Sequence, residues 1–223
     1  MIEKQNSNLS TLLWNISSAA DKATIEEMIG DIATSYGLTS AAYLGIGIGK
    51  TRNIPYLTVT YSSDWVEHYK RQRYFEVDPV VQQGFRRLLP SDWEECGSPE
   101  GDLRRFFGEA SEFGLGPRGI TIPIHGRGGD RSLFTITSDA SDHDWEHARF
   151  EYMQDFQVLA VHLHEKVLQL EGHSLSVKML SPRELECLQW VSEGKTTWEC
   201  AVILDLSAHT VRCYLERARY KLG

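Results

Sequence analysis

The chain has 223 residues, of which 41% are hydrophobic and 24% charged, with a formal net charge of −8. That length buries a core without disulfides or metals and holds one large domain, or one domain and a small module. The acidic balance excludes a protein that coats nucleic acid along its whole surface but not one basic module. No apolar run reaches the ~18 residues of a membrane-spanning helix. Residues 1–28 lack the continuous apolar core of a signal peptide, so a cytoplasmic protein without a membrane partner is expected.

In chain order, residues 8–19 and 21–36 have the apolar spacing of two amphipathic helices, with Gly37 where a left-handed cap is needed. Residues 41–48 and 56–61 are short apolar or alternating runs bounded by Gly, Asn and Pro, as strands are. Helices are predicted over 64–73, with Asp64 as N-cap, and over 79–88 and 102–113. Strands over 120–125 and 132–138 flank the turn-rich Gly126-Arg127-Gly128-Gly129-Asp130 and predict a hairpin. Together these segments describe helices layered against an antiparallel sheet.

A long helix follows, capped by Ser141 or Asp142 and running to about Leu170. Trp145, Ala148, Tyr152, Phe156, Leu159, Leu163, Val167 and Leu170 form one apolar face. Phe150, Met153, Val158 and Val161 form a second strip. At 1.5 Å per residue the helix is ~40 Å long. Either the second strip meets a partner subunit, or the buried face is simply wide. Glu171-Gly172-His173-Ser174 breaks the pattern as a linker.

Charge is unevenly distributed. Residues 174–223 hold 7 basic and 6 acidic side chains, net +1, whereas 1–173 hold 16 and 25, net −9. The last 12 residues alone net +3. This asymmetry points to a nucleic-acid contact at the C-terminal end. The same region carries two capping boxes, Ser181-Pro182-Arg183-Glu184 and Thr196-Thr197-Trp198-Glu199. Leu185, Leu188, Trp190 and Val191 are the expected buried face of the first helix, and Gly194 ends it. Ala201 and Leu204 lie inside the second helix. Asp205 occupies a tight turn, and Ser207 caps a third helix carrying Val211, Leu215, Ala218 and Leu222. A short helix, a brief turn and a second helix with a polar outer face is the helix-turn-helix arrangement.

Several chemical motifs fail on inspection. Gly45-Ile46-Gly47-Ile48-Gly49-Lys50-Thr51 misses the phosphate-loop pattern at Leu44, and no helix follows, so it is a strand entering a turn. His143 and His147 are one helical turn apart but have no third metal ligand. Cys96, Cys187, Cys200 and Cys213 lack zinc spacing and suit buried thiols in a reducing compartment. No nucleophile-elbow signature is present. No catalytic residue, metal or cofactor is expected.

The segment from Tyr61 to Val81 is different. Aromatic residues with polar tips recur at helical spacing, and a carboxylate precedes Pro79. These residues suit aromatic core packing. They equally suit an apolar cavity in which a Tyr hydroxyl, an indole N–H and one carboxylate hold a neutral amphiphile.

Two motif sets then agree. The first is Trp65, Tyr69, Asp78-Pro79-Val80-Val81, Trp93 and Gly119-Ile120-Thr121-Ile122-Pro123-Ile124. The second is Leu180-Ser181-Pro182-Arg183-Glu184, Trp190, Gly194-Lys195-Thr196, Ala201, Leu204, Leu206-Ser207 and Thr210-Val211. With both, the chain resembles a LuxR-type quorum-sensing transcription regulator over essentially its full length. The resemblance implies an α+β protein: an N-terminal α/β/α sandwich with a central antiparallel sheet, plus an all-α helix-turn-helix C-terminal domain. Residues 1–170 would bind an N-acyl-homoserine lactone and dimerise. Residues 171–176 would be a linker, and 177–223 would bind double-stranded DNA as a homodimer, with RNA polymerase as a further partner.

Carried over by residue, Trp65 resembles the donor to the lactone carbonyl, Tyr61 the donor to the acyl carbonyl and Asp78 the acceptor for the amide N–H. Thr135 matches a small polar position near the start of the acyl chain. Leu44, Tyr69, Val81, Trp93, Phe106, Phe107 and Leu133 match wall positions. On the third helix of the C-terminal module, Ala208, His209, Arg212 and Tyr214 are expected to project toward base edges. Arg217 is expected at the DNA, and Lys195 and Thr197 at phosphate. Two departures stand out. The family has a fourth helix after Lys221-Leu222, where this chain stops. Glu216 also replaces the usual basic or polar residue, where it would repel phosphate or accept from a cytosine amino group. The alternative expectations are a shortened member that binds signal but binds DNA poorly and acts as an antagonist, and, more remotely, a lipid- or amide-processing enzyme.

Overall fold

The computed structural model describes residues 2–48, 54–96, 102–126, 129–172 and 180–222. Gly49, Lys50 and Thr51, Arg127 and Gly128, linker residues 173–176 and the Cys96 side chain lie outside the described set. The chain divides into two compact units, Met1–Ser174 and Leu175–Gly223.

The first unit is built on a five-stranded antiparallel sheet with strand order β2-β1-β5-β4-β3. The strands are β1 (Ser40–Ile46), β2 (Tyr56–Val59), β3 (Ser91–Asp92), β4 (Arg118–His125) and β5 (Arg131–Ser138). Successive side chains on a strand point to opposite faces, and this alternation divides the work of the sheet. Ala41, Tyr43, Tyr56, Ile120, Ile122, Ile124, Phe134 and Ile136 enter the main hydrophobic cluster. Ala42, Leu44, Leu57, Val59, Leu133 and Thr135 face the other way and line a cavity.

Three helices cover the first face: α1 (Ile2–Ser18), α2 (Lys22–Ser35) and α6 (Asp142–Leu170). The Asp21 side chain caps α2 by accepting from the Thr24 N–H at 2.9 Å. Gly37, at φ +63°, closes α2 in the left-handed region, and Leu38 N–H donates to the Ala33 carbonyl. Ser141 caps α6. On α6, Trp145, Phe156, Leu159, Leu163 and Val167 are buried, whereas Phe150, Val158 and Val161 of the second strip are 63%, 41% and 50% exposed.

Three shorter helices lie over the second face: α3 (Ser63–Arg71), α4 (Pro79–Gly84) and α5 (Asp102–Glu112). Here the structure corrects local expectations. Ser62, not Asp64, caps α3, its hydroxyl accepting from the Trp65 N–H at 3.2 Å. The helix ends before Arg73, whose left-handed φ of 56° breaks it. Strand β2 stops at Val59 because the Thr60 hydroxyl takes the Ala41 N–H that a longer ladder would use. The two-residue β3 and the 3-10 turns at Tyr74–Glu76 and Trp93–Cys96 are too short for periodicity to reveal.

The second unit contains α7 (Pro182–Ser192), α8 (Thr197–Leu204) and α9 (Ala208–Leu222). Both capping boxes form, at Ser181/Glu184 and Thr196/Glu199. Asp205 adopts the left-handed conformation that turns α8 into α9. The Ser207 hydroxyl accepts from the Thr210 N–H at 3.0 Å. The core is Cys187, Cys200, Ala201 and Val211. The expected buried face of α7 needs correction: Leu185 and Val191 are exposed, while Cys187 and Glu184 are buried. Glu184 turns inward because Lys221 on α9 donates to its carboxylate at 2.7 Å, which the sequence of α7 alone cannot indicate. Cys213, expected to be buried, is only half-buried on α9.

Candidate functional site: a ligand cavity and a helix-turn-helix surface

The cavity on the second face of the sheet has a volume of about 570 Å³ and mostly apolar walls. This is the size range of small-molecule sites. Its floor is β1, β2 and β5. Its roof comes from α3, α4 and α5, which supply Trp65, Val80 and Phe106. The helices sit close to the strands: a Cβ added at Gly84 of α4 would stand 2.9 Å from Leu133.

Trp65 is the hub of an aromatic cluster. Its ring lies within 5.4–6.1 Å of Phe113, His68, Tyr69, Tyr74 and Phe106. Outside this cluster, Glu109 on α5 ties the roof together. Its carboxylate accepts from the Tyr74 hydroxyl and from Arg105 Nε at 2.7 Å, and it pairs with His68 on α3. The Tyr74 bond, followed by those of His68 and Arg105, holds the Glu109 carboxyl down at about 2.

Asp78 is the one carboxylate turned into the apolar cavity, at 6% exposure. Oδ1 accepts the N–H groups of Val80 and Val81 at 2.8 and 3.3 Å, so Asp78 is also the N-cap of α4. Oδ2 accepts the Tyr69 hydroxyl at 2.8 Å. Burial outweighs these bonds and pushes the carboxyl up to about 6. Two donors in the walls have no hydrogen-bond partner among the described residues: the Tyr61 hydroxyl and the Trp65 indole N–H. The cavity therefore presents two waiting donors and one buried acceptor.

Leu44, Tyr61, Trp65, Tyr69, Asp78, Val81, Trp93, Phe106, Leu133 and Thr135 all line this space. Phe107 does not. It packs behind the wall against Trp93 and Phe106, with centroids at 5.7 and 5.1 Å. Sequence reasoning missed Leu57 and Val59, although the alternation of β2 places both opposite Tyr56. It also missed the charged residues of the lining, Lys70, Arg73 and Glu76.

On the second unit, His209, Arg212 and Arg217 are exposed on α9, Lys195 is exposed just before α8, and Thr197 opens α8 half-exposed. Glu216 is exposed on α9 as well. Tyr214 and Ala208, expected to project outward, pack partly against the core. Both lie three residues from Val211, on the stripe that faces α7 and α8. Among the described residues, no three His, Cys, Asp or Glu side chains gather as a metal site. No described helix is long and apolar enough to cross a membrane.

A cavity domain joined to a helix-turn-helix defines a ligand-responsive DNA-binding regulator. Residues 21–167 match the model of the autoinducer binding domain, and 178–223 match that of the bacterial regulatory proteins of the luxR family. The chain belongs to the LuxR family of quorum-sensing transcription regulators, which are not enzymes, and its first domain binds a small-molecule signal. It is 40% identical over 176 residues to the transcriptional activator protein RaiR of Rhizobium etli, spanning 78% of this chain and 73% of RaiR. The fold resembles Escherichia coli SdiA, with a TM-score of 0.63 and 20% identity over 97% of this chain and 90% of that one. It also resembles CepR2 of Burkholderia cenocepacia, with a TM-score of 0.61 and 17% identity over 76% of this chain and 99% of that one.

Proposed function

We propose that the cavity binds an N-acyl-homoserine lactone. On this reading the chain, as a cytoplasmic homodimer, binds double-stranded DNA through α8 and α9 and acts on RNA polymerase. Residues 1–170 serve ligand and dimer, and 177–223 serve DNA. The observation that carries the reading is the match of polar groups. The ligand has two carbonyl oxygens and one amide N–H. The cavity offers two partnerless donors, Tyr61 and Trp65, and one buried acceptor, Asp78, within apolar walls. Leaving any of these buried groups unpaired costs about 1–3 kcal/mol, so this pattern selects against a plain hydrocarbon. The exposed apolar strip of Phe150, Val158 and Val161 on α6 supports a subunit contact there.

The test is to express the full chain in cells making a known set of lactones and identify the co-purified molecule by mass spectrometry. Calorimetric titration and DNA-shift assays follow with and without that molecule. A lactone in stoichiometric amount is expected. Its absence, together with no binding of any lactone offered, would overturn the reading. Ligand-loaded dimer with no DNA affinity would favour the antagonist alternative, for which the exposed Glu216 on α9 is the structural ground.

A further inference from the structure

A chain of three side chains crosses from behind the cavity into it. Trp93 Nε1 lies 3.1 Å from Thr121 Oγ1, and Thr121 Oγ1 lies 3.2 Å from Thr135 Oγ1. Thr121 is 1% exposed and Thr135 7% exposed. They are register partners on β4 and β5. Trp93 is held flat on β4, because a Cβ at Gly119 would stand 2.5 Å from its ring.

The direction of the chain follows from what each group can do. An indole N–H only donates, so the Thr121 oxygen accepts there. The Thr121 hydroxyl proton then needs an acceptor, and Thr135 Oγ1 is the one within reach. If Thr135 donated instead, Thr121 would hold two incoming bonds and a buried proton with no partner, which is the more costly arrangement. Thr135 therefore accepts from Thr121. Its own proton has no acceptor among the described residues, and the residue lines the cavity.

We infer that Trp93 and Thr121 set the Thr135 hydroxyl as a donor aimed into the cavity, so that the site favours an acyl chain bearing an acceptor oxygen over an unsubstituted chain. Trp93 and Thr121 are positioning residues, and Thr135 is the specificity determinant. The inference rests on the lactone reading above and adds the class of acyl chain to it.

The test compares N-(3-oxooctanoyl)- and N-octanoyl-homoserine lactone, which differ by one carbonyl, by calorimetric titration of the full chain. Wild type is expected to bind the oxo compound about tenfold more tightly, the value of one well-made buried hydrogen bond. Thr135→Val should bring the ratio to about one, and Thr135→Ser should restore it. Trp93→Phe should lower the ratio part of the way, because the direction of the relay is then no longer enforced. The ratio is taken within each variant, so a loss of stability or packing that weakens both ligands alike leaves it unmoved. A wild-type ratio of one, or a ratio retained in Thr135→Val, overturns the inference and leaves the lactone reading standing. If neither compound binds wild type, the lactone reading fails and the inference falls with it.

Discussion

His164 on α6 donates to or accepts from Asp130, with Nε2 and Oδ2 2.8 Å apart and both side chains buried. The other ring nitrogen meets the Tyr43 hydroxyl at 2.6 Å. This line of three side chains joins β1, α6 and the end of the β4–β5 turn beneath the sheet, on the face away from the cavity. Asp130→Ala leaves His164 without a buried partner and is expected to lower unfolding free energy by about 3 kcal/mol. Urea unfolding of the full chain measures it. A loss below about 1 kcal/mol would show that the pair adds nothing net.

Asp78→Asn and Asp64→Asn separate the ligand acceptor from a surface charge. Asparagine caps helices as well as aspartate does, so α4 keeps its cap in Asp78→Asn. The charge-assisted bond to an amide N–H is lost, and the new NH₂ needs a partner. The dose-response midpoint is expected to rise about tenfold or more for Asp78→Asn and to stay put for Asp64→Asn. Equal curves for wild type and Asp78→Asn would remove Asp78 from the site.

The pH dependence of the ligand-free protein follows from the same carboxyl. Burial lifts it from 3.8 to about 6 in the folded state. Between those values the folded chain binds a proton that the unfolded chain does not. Stability from this group is therefore gained as pH falls through about 6 and lost as pH rises through it. The difference in melting temperature between wild type and Asp78→Asn should change across that window. A pH-independent difference would contradict the shift. The carboxyls held low, such as Glu109, act in the opposite sense and at lower pH.

Ligand and fold should be coupled. At about 100 times its dissociation constant, a ligand that binds only the folded state adds about 2.7 kcal/mol of stability. Expression with the correct lactone should give more soluble protein and a higher melting temperature. Identical yield and melting temperature across a lactone panel would argue against binding to the folded cavity.

At the DNA, Arg212 has the guanidinium fork that reaches guanine O6 and N7 together. Arg212→Ala should cost about 1–3 kcal/mol on the cognate site and relax base preference at one position. Lys195→Ala should weaken all sequences alike and reduce the salt slope by about one ion. Equal losses on specific and random DNA for Arg212→Ala would place that residue at phosphate.

Legibility in the sequence tracked locality. The capping boxes at Ser181 and Thr196, the left-handed turn at Asp205 and the long α6 are all fixed by residues within a few positions of each other. They were readable for that reason. The choice of Ser62 over Asp64 as cap was not, since both types cap and the difference lies in how the chain enters α3. Glu184 is buried because of Lys221, 37 positions away. Phe107 missed the cavity although Phe106 lines it, because neighbouring residues on a helix point about 100° apart. The three polar ligand positions carried a family pattern and were named. Leu57 and Val59 carried only strand alternation and were passed over.

Strand β5 alternates Leu133 and Thr135 toward the cavity with Phe134 and Ile136 toward the main core. One eight-residue strand thus serves two masters on interleaved positions. Substitutions at the odd-numbered sites can reshape which signal is heard without touching the packing that keeps the domain folded. A lineage can therefore change its chemical dialect by single steps along this strand, each step leaving a stable protein for the next.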